Sequence, residues 1–140
     1  MRARLLGLTM MLVLGALGAG GCKDLTYFDV DVKFDQATFL GQVGSVQVCH
    51  MYVTGAETHD YVINDNTRSC PPPNQNLEMG IFEYSSLADS GSLTFTMKVY
   101  NKFTETDNCL FGQGSTTVTL PAPMTTNPVT LNVVQMGPGC

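Results

Sequence analysis

The sequence predicts an all-β chain: an antiparallel β-sandwich of about seven strands, immunoglobulin-like in architecture, behind a helical, cleaved signal segment. Three observations lead there. Apolar and polar residues alternate with period two over several runs, as in strands with one face on a core and one in water. Turn-forming residues separate those runs: Gly41 and Gly44, Gly55, Asn64-Asp65-Asn66, Asp89-Ser90-Gly91, and Pro121 to Pro128. Beyond the first twenty or so residues, no stretch has convincing helical periodicity.

The first segment has the layout of an export signal. Arg2 and Arg4 give it a positive start, and Leu5 to Leu17 is apolar or small apart from Thr9. Ala19, Gly20 and Gly21 then lead into Cys22. The apolar run is shorter than the roughly 20 residues a membrane-spanning helix needs. It also ends in glycines, so a cleaved signal is expected rather than a permanent span. With Gly21 directly before Cys22, this stretch resembles a bacterial lipoprotein precursor, although Ala19 stands where that class often has leucine. The resemblance covers residues 1–22. It implies a diacylglyceryl group on the Cys22 thiol, cleavage just before Cys22 by signal peptidase II, and acylation of the new amino terminus. Each buried CH₂ adds about 0.8 kcal/mol, so two or three chains hold a protein firmly on a bilayer. Lys23 follows the cysteine, not the aspartate that favours inner-membrane retention in this class, so the resemblance implies the outer membrane. The other reading is an ordinary secretory signal cut after Ala19 or Gly21, which leaves Cys22 as an odd cysteine to explain. The expected division is a signal peptide over 1–21, a short tether over 22–26 and one β domain over 27–140.

Seven strands are expected, near 27–35, 45–54, 60–64, 78–85, 92–101, 111–120 and 129–135. In the first, Phe28, Val30, Val32 and Phe34 face one way and Asp29, Asp31, Lys33 and Asp35 the other. In the fifth, Leu93, Phe95, Met97 and Val99 alternate with Thr94, Thr96, Lys98 and Tyr100. The last two interleave Thr117, Thr119 and Thr130 with Val118, Leu120, Val129, Leu131 and Val133, residues that suit a half-buried pleat. Two strands lose phase. In the second, the apolar set moves from Val46 and Val48 to Cys49, Met51 and Val53, as in a strand covered on both faces. In the fourth it moves from Leu77, Met79 and Ile81 to Phe82 and Tyr84, with Gly80 as a bulge candidate. The chain has no tryptophan, so the likeness to immunoglobulin domains is one of architecture only.

With Cys22 set aside, Cys49, Cys70, Cys109 and Cys140 remain, and an exported chain keeps disulfides. Four cysteines allow three pairings. If Leu120 faces Val129 across the last hairpin, the extended register brings Cys109 to Cys140 and leaves Cys49 for Cys70. The rival reading, a zinc site at Cys49 and His50, lacks paired ligand spacing, and no C-x-x-C is present.

Removing Arg2 and Arg4 leaves five basic and twelve acidic residues, a net charge of −7. Such a surface repels nucleic acid and anionic headgroups. His59-Asp60 is the one adjacent base–carboxylate pair, but neighbours on a strand face opposite ways and no G-x-S-x-G elbow occurs, so no catalytic residue is assigned. Asp29, Asp31 and Asp65 are the calcium candidates. Strand carboxylates two apart sit about 7 Å from each other, so an ordinary solvent face is the plainer reading. No metal or cofactor is expected. Tyr27, Tyr52, Tyr61, Tyr84 and Tyr100 suit a glycan- or peptide-binding surface as well as ordinary strand positions. The expected function is therefore a lipid-anchored envelope protein, held to the membrane at Cys22, with a structural, adhesive or partner-binding role and no catalysis. Its partner would be an envelope protein or glycan. The alternative is an envelope inhibitor or ligand-binding lipoprotein, for example against a cationic lytic enzyme.

Overall fold

The computed structural model describes residues 24–39, 45–63, 78–103, 105–122 and 125–140. The signal segment over 1–21, Cys22, Asp65 and Cys70 lie outside them. Seven strands form: β1 (Thr26–Phe34), β2 (Val48–Gly55), β3 (His59–Ile63), β4 (Glu78–Ser86), β5 (Gly91–Tyr100), β6 (Leu110–Leu120) and β7 (Asn127–Gln135). A four-residue helix, α1 (Gln36–Phe39), follows β1. Asp35 caps it, its carboxylate accepting from the Ala37 amide at 3.3 Å and its carbonyl from the Phe39 amide at 3.1 Å.

The strands are hydrogen-bonded in the order β3-β2-β5-β6-β7-β1-β4. The sheet curls so that β4-β1-β7 faces β3-β2-β5-β6, as a sandwich with one continuous edge. The expected all-β, seven-stranded architecture is present, with one addition: β1 and β7 run parallel, Val30 opposite Val129 and Val32 opposite Leu131, so the sheet is mixed. The other pairs are antiparallel. The ladder between β6 and β7 is confined to Gly112 opposite Gln135 and Gln113 opposite Val134. This is two residues out from the register that sets Leu120 against Val129. Through its other edge β7 pairs with β1 over seven residues, and that longer ladder fixes its position along β6. Pro128, which has no N–H to donate, is tolerated in β7 because β6 does not pair with it at that level.

Alternation places the core as the pattern requires. Phe28, Val30, Val32 and Phe34 of β1 meet Leu93, Phe95, Met97 and Val99 of β5, all at most 3% exposed. Each such side chain contributes about 1.5–3 kcal/mol by leaving water. Phe28 packs on Phe95 with ring centroids 5.8 Å apart, and Phe39 of α1 closes one end against Phe34 and Phe111. The bulge falls where Gly80 stands: Val32 faces Gly80, but Lys33 faces Glu78, and Gly80 has φ of 94°. The second strand is covered on both faces at its start. Cys49 and Met51 point into the main core, while Val48 joins a smaller cluster with Tyr100, Cys109 and Leu110 on the other side.

Cys109 and Cys140 form a disulfide, with Cα atoms 4.4 Å apart and a sequence separation of 31. On the chain-entropy model this contributes about 3–4 kcal/mol. Asn101 reinforces it, donating to the Pro138 carbonyl and accepting from the Cys140 amide, both at 3.1 Å. Cys49 is also disulfide-bonded, and Cys70, its expected partner, is outside the described residues.

The corner where β6 passes β7 depends on Gly114. A Cβ there would meet the Asn132 carbonyl oxygen at 2.0 Å, which no side-chain movement relieves. Gly114→Ala is expected to cost about 1–3 kcal/mol in urea unfolding. Gly137→Ala, where nothing lies within 4 Å, is expected to leave the midpoint unchanged within error.

Candidate functional site

Strand direction divides the molecule into two ends. Thr26 lies opposite Ser86, Phe28 beside Asn127, and Gly91 opposite Leu120, so the end nearest Cys22 in sequence carries the 55–59, 86–91 and 120–127 connections. Phe34, Val48, Tyr100 and Gln135 mark the other end, some 30 Å away at strand rise per residue. There the connection between β5 and β6 is held by the Cys109–Cys140 disulfide and Asn101, and it presents Phe103 at 75% exposure.

The densest polar cluster lies on the outer face of β2. His50 is adjacent to Cys49 in sequence, yet faces away from the core beside its cross-strand neighbours Lys98 and Val62. Its side chain is nonetheless only 8% exposed. Glu105, from the β5–β6 connection, closes over it and hydrogen-bonds Nδ1. Tyr52, two residues along β2, stacks on the imidazole with centroids 4.2 Å apart and planes 19° apart. The Tyr52 hydroxyl lies 3.2 Å from Nδ1. Lys98 Nζ sits 5.4 Å from the centre of the Tyr52 ring, a cation–π distance. Asp60 of β3 puts Oδ2 3.6 Å from His50 Nε2, beyond hydrogen-bond range, and Nε2 is buried with no hydrogen-bond partner. Asp60 thus turns toward His50, while His59 lies on the opposite face with its ring near Tyr61 and Tyr84, so the adjacent His59-Asp60 pair forms no dyad.

A second polar cluster ties the two halves of the sandwich together at the end nearest Cys22. Glu57, in the β2–β3 turn, accepts from the Tyr84 hydroxyl at 2.5 Å and from the Leu87 amide at 2.8 Å. Partial burial alone would raise the Glu57 pKa. Hydrogen bonds from Tyr84, Leu87, Ser86 and Ala88 outweigh it and leave the carboxyl below its ordinary value. Burial, and then the bond to the Glu57 carboxylate, push the Tyr84 phenol well above its ordinary range. Aromatic contacts continue this seam along the two sheet edges: Tyr61 of β3 lies 5.3 Å from Phe82 and 6.5 Å from Tyr84 of β4.

The calcium candidates do not converge. Asp31 pairs with Lys33 at 3.2 Å, and Asp29 sits opposite Glu83 across the β1–β4 pair. Among the described residues, no group of three His, Cys, Asp or Glu side chains is placed to hold a metal ion. Asp29 and Glu83 instead line an open cleft of about 400 Å³ with Tyr27, Tyr84, Ser85 and Thr126. The five tyrosines do not form one surface: Tyr84 and Tyr100 are buried, Tyr52 is stacked on His50, and Tyr27 and Tyr61 are exposed. Glu105 and Glu57 carry no local signal in the sequence that sets them apart from other acidic residues. The one local signal for His50 was the phase slip in its strand, which predicts cover on the outer face.

No protein-family model matches this sequence, and no curated protein does. Among solved structures, the chain is similar to a fimbrial assembly protein from Parabacteroides distasonis, at 11% identity and a TM-score of 0.48. The alignment covers 79% of this chain and 52% of that protein, so the chain spans about half its length.

Glu57 generates a pH prediction. Its folded-state pKa lies below the unfolded value, so its contribution is complete above the ordinary carboxylate range and is lost as pH falls through the folded value. Glu57→Gln is expected to lower stability by about 1 kcal/mol at pH 7, discounted for its partial exposure. The difference from the parent should shrink as pH falls from the ordinary carboxylate range through the folded value. Denaturant titrations at pH 7, 5 and 3 measure it.

Proposed function

We propose that this chain is a lipid-anchored protein of the bacterial cell envelope, at the outer membrane, with a structural, adhesive or partner-binding role and no catalysis. The observation that carries the reading is the Gly20-Gly21-Cys22 stretch after an apolar run, followed by Lys23. Two structural features support it. Thr26, the first strand residue, is four residues from Cys22, a reach of at most about 14 Å, so the end with the Glu57–Tyr84 clamp would lie nearest the bilayer. The pinned 101–109 connection with its exposed Phe103 would then stand farthest out, where a partner first meets the domain. The disulfide suits an oxidising compartment.

The open cleft favours a second reading, an inhibitor or ligand-binding lipoprotein. Asp29 and Glu83 face each other there beside the exposed Tyr27 ring, and directly opposed like charges are unfavourable until a cation lies between them. A lysine or arginine side chain of a cationic enzyme has that chemistry.

Intact-mass measurement of the protein extracted from membranes tests the anchor. The expected species begins at Cys22 and carries acyl chains. Cys22→Ser is expected to move the protein to the soluble fraction with its unfolding midpoint unchanged. An unmodified Cys22 in the membrane-extracted protein contradicts the proposal.

A further inference from the structure

We infer that His50 is a pH-sensitive latch. With its ring charged it holds residues 105–108 closed over the outer face of β2, and with its ring neutral it lets them go. The inference does not rest on the lipid anchor. A carboxylate can only accept, so the His50–Glu105 hydrogen bond places a ring hydrogen on Nδ1. A neutral ring has no second hydrogen to give. Its Nε2 is then a bare acceptor, buried, without a hydrogen-bond partner, and facing Oδ2 of Asp60 at 3.6 Å. Two acceptors set against each other cost free energy whenever the ring is covered. A charged ring donates from both nitrogens. Nδ1 still serves Glu105, and Nε2 now aims a hydrogen at Asp60, whose carboxylate is 74% exposed and free to turn toward it.

Closing over a charged ring therefore makes charge-assisted contacts on both sides, each stronger than a neutral hydrogen bond. Closing over a neutral ring makes one contact and strands an acceptor. By linkage, closure is strongest with the ring charged and weakens as pH rises through the ring's own transition. The groups around the ring agree. Glu105 faces it from the connection, Asp60 from β3, Lys98 from β5 and Tyr52 from β2 itself. Lys98 is a like charge, but its Nζ is directed over the Tyr52 ring. Stacking on Tyr52 fixes the imidazole plane, so the ring cannot swing away to meet water while it stays covered. The moving part is short. Glu105 leads into a 3-10 turn (Asp107–Cys109) whose Cys109 amide donates to the Thr106 carbonyl at 2.8 Å. The Cys109–Cys140 disulfide and the Asn101 amide, which donates to the Cys109 carbonyl at 3.3 Å, hold the base of the turn in both states. Opening is thus a local event. It uncovers the His50–Tyr52 stack near the end of the domain that carries Phe103.

NMR of the purified protein with its disulfides intact, over about pH 5–8 where histidines change charge, tests the inference. The His50 ring nitrogens report the charge, and the hydrogen-exchange protection factor of the Cys109 amide reports the turn. The expected result is a severalfold loss of protection as pH rises, on the same curve as the ring. Glu105→Gln keeps an acceptor for Nδ1 but removes its charge, and Asp60→Asn is an exposed change that spares the core. Each should move the ring transition to lower pH and carry the protection curve with it. His50→Gln should abolish the pH dependence of protection, and His59→Gln, on the opposite face, should leave both curves in place. A His50 ring that changes charge while Cys109 protection stays constant overturns the inference. So does a pH dependence of protection that survives both Glu105→Gln and His50→Gln unchanged.

Discussion

The parallel pairing of β1 with β7 is the constraint on which the rest of the structure depends. β7 shares a ladder of two residue pairs with β6 and one of seven with β1. It therefore carries the sheet around the corner and turns one ribbon of strands into two facing layers. Val30, Val32, Val129 and Leu131 lie at this join and face the core together, so register and burial reinforce each other. Gly114 lets β6 approach closely enough for the turn to happen. Without that join, Phe28 could not reach Phe95, and the two edge strands could not meet through Tyr61, Phe82 and Tyr84.

Polar side chains finish what the join begins. Glu57 fastens the free edges at one end of the sandwich by gathering donors from Tyr84, Ser86, Leu87 and Ala88. Asn101 and the Cys109–Cys140 disulfide fasten the other end. Glu105 closes over His50 on the outer face, which turns a residue that would stand in water into a buried one. The molecule has a soft requirement for each strand and strict requirements at a few joints, which is usual for a small core with few aromatics.

Strand positions were legible because a period of two is local. β1 and β5 were readable residue by residue, and the phase slips at Val48–Cys49 and Gly80 marked a strand covered on both faces and a bulge. The parallel partner of β1 was not legible, because it lies a hundred residues away and nothing in either strand encodes direction. The hairpin register drifted by two for the same reason, since β7 answers to β1 rather than to β6. The polar clusters were hidden by distance too. Glu105 is 55 residues from His50 and Glu57 is 27 from Tyr84, and each reads in sequence as one more acidic surface residue.

On the proposal that Cys22 carries the lipid, the domain is directional, with its Leu87 end toward a bilayer and its Phe103 end away from it. Fluorescence quenching by headgroup nitroxides in vesicles tests this most directly. The lipidated protein would carry a fluorophore at position 87 in one preparation and at position 103 in another. Strong quenching is expected at 87 and almost none at 103, some 30 Å farther out. Equal quenching at both positions, or stronger quenching at 103, contradicts it.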